Sequence, residues 1–255
     1  MAASDWTLSR ALLGDRDARR RLAADVFGIA GLAVEPTYHG LAAHRERLIR
    51  THSIGHVLDV GANTGQYAKA LLASGYQGLV TSFEPNPRAA KELRATAAGR
   101  PAWTVHEVAL TSSEGRMTLH VTDDSQSTSL LVPTADYAFM QKNHEVEVDT
   151  QTLDAFGPFA SPADAKGLLL KMDVQGFEGD VLRGAARTLE SCSVVECELS
   201  TVELYAGQAL MEEVIAQLRR AGLFPVALVR GFTDPTSHNV IQYDGIFARS
   251  GSTRG

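Results

Sequence analysis

The chain has 255 residues, 44% of them hydrophobic and 21% charged, enough apolar material for one sizeable core. A formal charge of −6 argues against a broad basic face for nucleic acid, and no apolar run approaches the roughly 18 residues needed to cross a bilayer. With no basic, apolar leader at the N-terminus and two cysteines, too few for a disulfide framework or a structural zinc site, the expectation is a reduced, cytoplasmic protein.

Residues 1–50 predict a helical extension. Leu8, Leu12, Leu13 and Leu22 make an apolar stripe, while Arg10, Arg16, Arg19, Arg20 and Arg21 alternate with aspartates at 5, 15, 17 and 25. This reads as the solvated face of helices packed on the main domain; a basic membrane or partner helix is the alternative. From residue 56 apolar runs and helical spacings alternate. Strands are predicted at 56–60, 79–84, 104–109, 168–173, 193–199, 224–230 and 240–248, with helices at 65–74, 87–98, 177–190 and 208–221. That rhythm means an α/β fold, a doubly wound sheet with right-handed crossovers over residues 51–249, followed by a tail at 250–255. The last two strands are joined by turn-rich residues without a helix, so they should form an antiparallel hairpin closing the sheet's edge.

A polar insertion at about 111–150 breaks the rhythm. Met117–Thr122 and Glu145–Asp149 alternate like strands and flank Asp123-Asp124-Ser125-Gln126-Ser127-Thr128-Ser129. A polar, serine-rich segment here suits a lid or acceptor loop at the carboxyl edge, mobile over 123–143 without ligand.

The sharpest signal is His56-Val57-Leu58-Asp59-Val60-Gly61-Ala62-Asn63-Thr64-Gly65-Gln66-Tyr67, followed by Leu79-Val80-Thr81-Ser82-Phe83-Glu84. Two strands ending in acids bracket a glycine turn and a helix, the pattern of a nucleotide-type ligand at the edge of a parallel sheet. Gly61 and Gly65 leave room for backbone to approach the ligand, and the helix's first N–H groups face it. Glu84 is placed to accept hydrogen bonds from both ribose hydroxyls. The turn reads Gly-x-x-x-Gly with Asn63 inside it, unlike the Gly-x-Gly-x-x-Gly of pyrophosphate binders. Asp59 would repel a pyrophosphate and suits a ligand with an ammonium and a sulfonium, which favours S-adenosylmethionine over a dinucleotide.

Two further acids end strands on this side. Asp173 closes Gly167-Leu168-Leu169-Leu170-Lys171-Met172, and Glu198 closes Val194-Val195-Glu196-Cys197. Alternation puts Lys171 with Asp173 and Glu196 with Glu198. Asp173 and Glu198 on adjacent strands converge on one point, where their repulsion calls for a cation. A Mg²⁺ ion held by Asp173, Glu198 and His238 would ease deprotonation of a bound hydroxyl. The alternative is internal ion pairing with Lys171 or an arginine. His144, at the end of the insertion, and His238, in the hairpin loop, are the candidate general bases of a metal-independent route. A binding module that senses the cofactor without turnover, and an oxidoreductase on the same sheet, are the competing functions.

Val57 to Tyr67, Phe83-Glu84-Pro85-Asn86-Pro87 and Leu170-Lys171-Met172-Asp173-Val174-Gln175-Gly176-Phe177-Glu178 together resemble the FkbM family of S-adenosylmethionine-dependent O-methyltransferases. So do Ser127-Thr128-Ser129-Leu130 and Gln242-Tyr243-Asp244-Gly245-Ile246-Phe247-Ala248. The resemblance covers about residues 50–249, and its ordered combination is more specific than any single piece. It implies a Rossmann-like methyltransferase sheet and a hydroxyl acceptor on a sugar or natural product, either a small molecule or an oligosaccharide. No nucleic-acid partner or membrane span is implied, and assembly into an oligomer stays open. Carried over, Asp59, Gly61, Asn63 and Gly65 surround the methionine tail and Glu84 binds the ribose, with Pro85 and Asn86 lining its turn. Glu107 and Ala109 border the adenine, and Asp173 faces the sulfonium and the acceptor. Gln175 departs from the family, whose members often carry an acid there.

Overall fold

The structure, a computed structural model, describes residues 37–122, 128–135, 137, 144–159, 167–234 and 237–249. The first described helix is α1 (Thr37–Thr51), followed by β1 (Ile54–Val60), α2 (Gln66–Ala73), β2 (Leu79–Phe83), α3 (Pro87–Ala97) and β3 (Trp103–His106). Next come three strands of the insertion and its flanks, β4 (Ala109–Leu110), β5 (Gly115–Val121) and β6 (His144–Gln151). The chain then continues through β7 (Gly167–Met172), α4 (Glu178–Arg183), α5 (Ala186–Ser191), β8 (Cys192–Ser200), α6 (Met211–Arg220), β9 (Leu223–Arg230) and β10 (Gln242–Arg249). The leucine and arginine pattern before residue 37, the tail from 250, and residues 123–127, 136 and 138–143 of the expected lid lie outside the described residues.

The main sheet has seven strands in the order β3-β2-β1-β7-β8-β10-β9. Pairing is parallel from β3 through to β8, and β10 runs antiparallel to both β8 and β9. The hairpin therefore forms as expected, with its second strand inserted inside its first. The order reverses between β1 and β7, and ligands of such sheets bind at that switch point.

β1 and β7 are nearly continuous apolar runs, and β8 carries Val194 and Val195 at its centre, because both faces of these strands are covered. Val57, Leu169 and Val194 pack with Leu41, Leu48, Ala68, Leu71 and Leu93 on one side. Their neighbours Leu58, Leu170 and Val195 pack with Val181, Leu182, Leu189, Val214 and Leu218 on the other. One-residue alternation thus divides each strand between two helical layers. Cys197 faces the second of these layers, opposite to Glu196, as its alternation predicts.

Two elements differ from expectation. The strand foreseen at 104–109 ends at His106, and Ala109–Leu110 pairs instead with Thr150–Gln151 of β6 in a separate three-stranded sheet, β4-β6-β5. The helix foreseen at 177–190 is two short helices meeting at Gly184. A Cβ there would lie 1.9 Å from the Thr111 carbonyl oxygen, so the chain is bent by the close approach of the insertion's first residues. Periodicity carries no record of that approach.

Candidate active site

The turn after β1 is shaped by its own protein rather than left open. Gly61 has φ +72°, and a Cβ on it would meet the Asp173 carbonyl oxygen at 1.9 Å. The N–H groups of Gly61 and Ala62 both donate to the Phe83 carbonyl, at 3.0 and 3.1 Å. Gly65, at φ +87°, backs onto Leu93 and Trp103. The glycine space expected to admit a ligand therefore seats the end of β7 and the Trp103 ring. Asn63 adopts φ 49°, a left-handed conformation that Asn tolerates better than most residues. It thereby turns its N–H onto Glu84 Oε2 at 2.7 Å.

Glu84 is 6% exposed. Its second oxygen accepts the Asn86 N–H at 2.9 Å. Burial pushes its pKa up to about 7, against the opposing pull of the Asn86 and Asn63 N–H groups. Each carboxylate oxygen still has a lone pair for a ligand hydroxyl. The Asn86 side chain caps α3, accepting the Arg88 N–H at 3.1 Å, with Pro87 at the first helical position. Pro85 is half-buried in the same turn.

Asp59 takes a different partner from the one expected. It is fully buried, and Lys171 Nζ lies 3.2 Å from its Oδ1. The Ser82 hydroxyl donates to its other oxygen at 3.4 Å. A carboxylate with no exposed surface needs a cation from the protein itself, so Lys171 stands where a ligand's ammonium was foreseen. Lys171 Nζ also donates to the Gly61 carbonyl at 3.2 Å and lies 3.7 Å from Asp173 Oδ2. Burial opposes its charge, but Asp59, Asp173 and Glu196 outweigh burial and hold its pKa above the ordinary value. Sequence reasoning placed Lys171 on the face of Asp173 and offered it as an ion-pair partner there, a contact the structure holds at 3.7 Å, but did not foresee its closer pairing with Asp59. An amine inside the apolar run Gly167–Met172 was the available signal.

Asp173 and Glu198 converge as foreseen, but an amide lies between them. Gln175 Nε2 donates to Asp173 Oδ1 at 2.9 Å and to Glu198 Oε2 at 3.0 Å. Gln242 Nε2 donates to the same Glu198 oxygen at 3.3 Å. The Asp173 side chain is 42% exposed, the more open of the two. Burial first, and then the charges of Asp173, Glu178 and Asp244, push the Glu198 pKa well above the carboxylate range. Burial likewise raises Glu178 to about 7 and Asp244, which faces Glu198 across the β8–β10 pair, to about 6.

Of the residues expected to hold Mg²⁺, the structure brings Asp173 and Glu198 together around the Gln175 amide, with no hydrogen bond or ion pair to His238 among the described residues. Among the described residues no three His, Cys, Asp or Glu side chains gather as a metal requires. His238 is exposed in the hairpin loop, its backbone N–H donating to the Asp234 carbonyl. His144 is exposed at the first position of β6, opposite Val121. No hydrogen bond or ion pair among the described residues joins either histidine to the two carboxylates. Glu107, just after β3, accepts a hydrogen bond from Arg94 at 2.6 Å, and Ala109 is buried in the second sheet.

The described part of the insertion is strapped over this edge. His120 and Ser129 exchange backbone hydrogen bonds, as do Val132 and Thr134 with the Leu204–Ala206 segment. Ser129 Oγ donates to the Gln175 carbonyl at 2.7 Å. Further down β8, on the face of Glu198, Arg45 of α1 grips Glu196 with two nitrogens, at 2.7 and 2.5 Å. The Arg45 guanidinium lies 4.5 Å from the centre of the Tyr67 ring, and Tyr67 OH donates to Glu196 at 3.2 Å. These three residues pin α1 and α2 to the sheet, and none was singled out from sequence.

One strand running against the other six, slipped inside the hairpin, separates this sheet from the all-parallel dinucleotide order. With the acid-bearing turn at its switch point, the sheet has the form of a ligand-binding α/β domain. The family can be stated more narrowly: residues 59–223 match the Methyltransferase FkbM domain, and the chain belongs to that family. A 2-O-methyltransferase NoeI of Sinorhizobium fredii (strain NBRC 101917 / NGR234) is 30% identical over 170 residues, 62% of this chain and 69% of the relative. Among solved structures, a putative sarcosine dimethylglycine methyltransferase from Galdieria sulphuraria aligns at TM-score 0.48 and 10% identity, covering 83% of this chain and 84% of its own. The magnesium protoporphyrin IX methyltransferase of Synechocystis PCC 6803, solved with its methyl donor bound, aligns at TM-score 0.47 and 11% identity, covering 98% and 99%. Among the described residues no helix is long and apolar enough to cross a membrane.

Proposed function

We propose that the protein transfers a methyl group from S-adenosylmethionine to a hydroxyl oxygen of a saccharide or glycosylated metabolite. The observation that carries this reading is Asp173, an open carboxylate at the switch point whose backbone carbonyl packs against the Gly61 turn. The donor lies along the turn, with Glu84 on its ribose, Gly61, Asn63 and Gly65 shaping its seat, and Pro85 and Asn86 fixing Glu84. Asp59 acts through Lys171 rather than by touching the donor. The acceptor oxygen attacks the methyl carbon in line with the carbon–sulfur bond. As the oxygen–carbon bond forms, the carbon–sulfur pair stays on sulfur, and the hydroxyl proton passes to Asp173. Alignment supplies much of the acceleration, and proton acceptance contributes a further factor of about 10²–10⁴. The relative named as a 2-O-methyltransferase supports oxygen as the target atom.

Labelled donor incubated with a panel of mono- and oligosaccharides, phenols and amines tests the reading. The expected product is a labelled sugar ether, with Asp173→Asn losing at least about 100-fold in turnover while still binding S-adenosylhomocysteine. Label found on amines alone, or donor binding with no transfer to any hydroxyl, would overturn it.

A further inference from the structure

We infer that the Gln175 carboxamide occupies the place of a cation between Asp173 and Glu198, so that this edge of the protein works without a divalent metal ion. The inference rests on the proposed reading of this edge as the acceptor side. A side-chain amide nitrogen has two hydrogens, and here each has one carboxylate to serve, Asp173 at 2.9 Å and Glu198 at 3.0 Å. The amide oxygen is committed as well: it accepts the hydroxyl of the fully buried Tyr205 at 3.0 Å. The opposite orientation of the amide would set its oxygen against two carboxylate oxygens, so the network itself assigns nitrogen to that side.

The backbone holds the amide there. Gln175 has φ 52°, a left-handed conformation that costs any residue with a Cβ. Ser129 Oγ on its carbonyl at 2.7 Å helps to fix it. The following Gly176, at φ +95°, is pressed so closely against Tyr205 that a Cβ would lie 3.1 Å from that ring. Asp173, Glu198 and Tyr205 thus meet on the Gln175 side chain, while Ser129 holds its backbone carbonyl.

The nearby cations are otherwise engaged. Lys171 is 3.2 Å from Asp59 and 3.7 Å from Asp173, and Arg45 is committed to Glu196. Glu198 is therefore left to the amides of Gln175 and Gln242. A metal ion entering between the acids would have to expel the Gln175 nitrogen and break its link to Tyr205. Gln175 is a positioning residue, setting the spacing of two carboxylates by hydrogen bonds rather than by coordination.

The test compares the whole protein with Gln175→Glu, which keeps the shape but replaces the donor by a third carboxylate, and with Gln175→Met, which removes the donor without adding charge. Mg²⁺ titrations by calorimetry and Mn²⁺ titrations by electron paramagnetic resonance need no turnover. The wild type should bind neither ion measurably and should melt at the same temperature in EDTA and in Mg²⁺. Gln175→Glu should melt lower in EDTA, recover in Mg²⁺, and bind Mn²⁺ at least about tenfold more tightly than the wild type, since three oxygen ligands then surround one point. Gln175→Met should gain no metal binding and should lose kcat with unchanged S-adenosylhomocysteine affinity. Mg²⁺ binding by the wild type with activity lost in EDTA and regained with Mg²⁺, or a Gln175→Glu variant indistinguishable from wild type in Mn²⁺ binding and melting, would overturn the inference. If Gln175→Glu does not fold in either buffer, the wild-type titration decides alone. If the metal contrast holds but no saccharide is methylated, only the acceptor assignment falls.

Discussion

The donor turn is held by short-range contacts, whereas the acceptor edge joins segments distant in the chain. Glu84 is fixed by N–H groups two and 21 residues away, those of Asn86 and Asn63. Glu198 is held by Gln175 and Gln242, 23 and 44 residues away, and Gln175 by Ser129, 46 residues away. The bonds that fix Glu84 lie within one β–turn–α–β unit, although Asp59 and Gly61 of the same turn also rest on Lys171 and Asp173 of the β7 end. The acceptor edge exists only when β7, β8, β10 and the insertion have all docked. Lys171 belongs to both, gripping Asp59 and Gly61 on one side and facing Asp173 on the other.

Lys171→Met should therefore break the comparison most severely, because it strips the cation from the fully buried Asp59 while also freeing Asp173. Leaving one partner of a buried pair costs about 3–5 kcal/mol, and denaturant melting should show a loss of that order near pH 8. The loss should shrink at acidic pH, where Asp59 takes up a proton and stops being an uncompensated anion. A variant as stable as wild type at pH 8 would show that Asp59 is already neutral beside Lys171.

Glu84→Ala sharpens the comparison by touching the donor turn alone. Affinity for S-adenosylhomocysteine should fall by about 1.5–3 kcal/mol, the range for hydrogen bonds to a charged group. Wild-type pH dependence tests the same residue. With Glu84 and Glu178 raised from 4.5 to about 7, the folded protein binds protons more tightly than the unfolded chain. Their contribution to apo stability is thus full below 4.5 and is lost as pH rises through about 7. Donor binding should run the other way. It should tighten over the same rise with proton release measurable by calorimetry in buffers of different ionisation heat, and Glu84→Gln should abolish that release.

The smallest effect belongs to the two exposed histidines. His144→Ala and His238→Ala should each change stability by no more than about 0.5 kcal/mol, as surface substitutions do, with turnover near that of wild type. A large kcat loss from either would restore a histidine base to the acceptor side.

The difference between the two regions is also a difference in legibility. The turn from Asp59 to Tyr67, the acid ending β2 and the alternation of apolar runs are statements about neighbours in the chain, and they located the sheet, its switch point and Glu84. Alternation also put Lys171 beside Asp173 and set Cys197 opposite Glu196, because a strand has only two faces. Less legible was the break after His106. The run continues in composition, yet Ala109 and Leu110 gain more from pairing with β6 than from extending β3. Gly184 likewise looked like an interior helix residue until Thr111 arrived against it.

Local pattern and backbone demands were thus enough to determine the α/β class, the antiparallel hairpin at the sheet's edge and the position of the donor turn, since each depends on residues a few places apart. Which charge answers which was decided only in three dimensions. Asp59 received the protein's own lysine, and Asp173 and Glu198 received an amide where a cation was foreseen. Both outcomes depend on strand register and on how closely segments dock. A carboxylate leaving water takes whichever donor the fold brings within about 3 Å of it, and nothing in the order of residues records that distance.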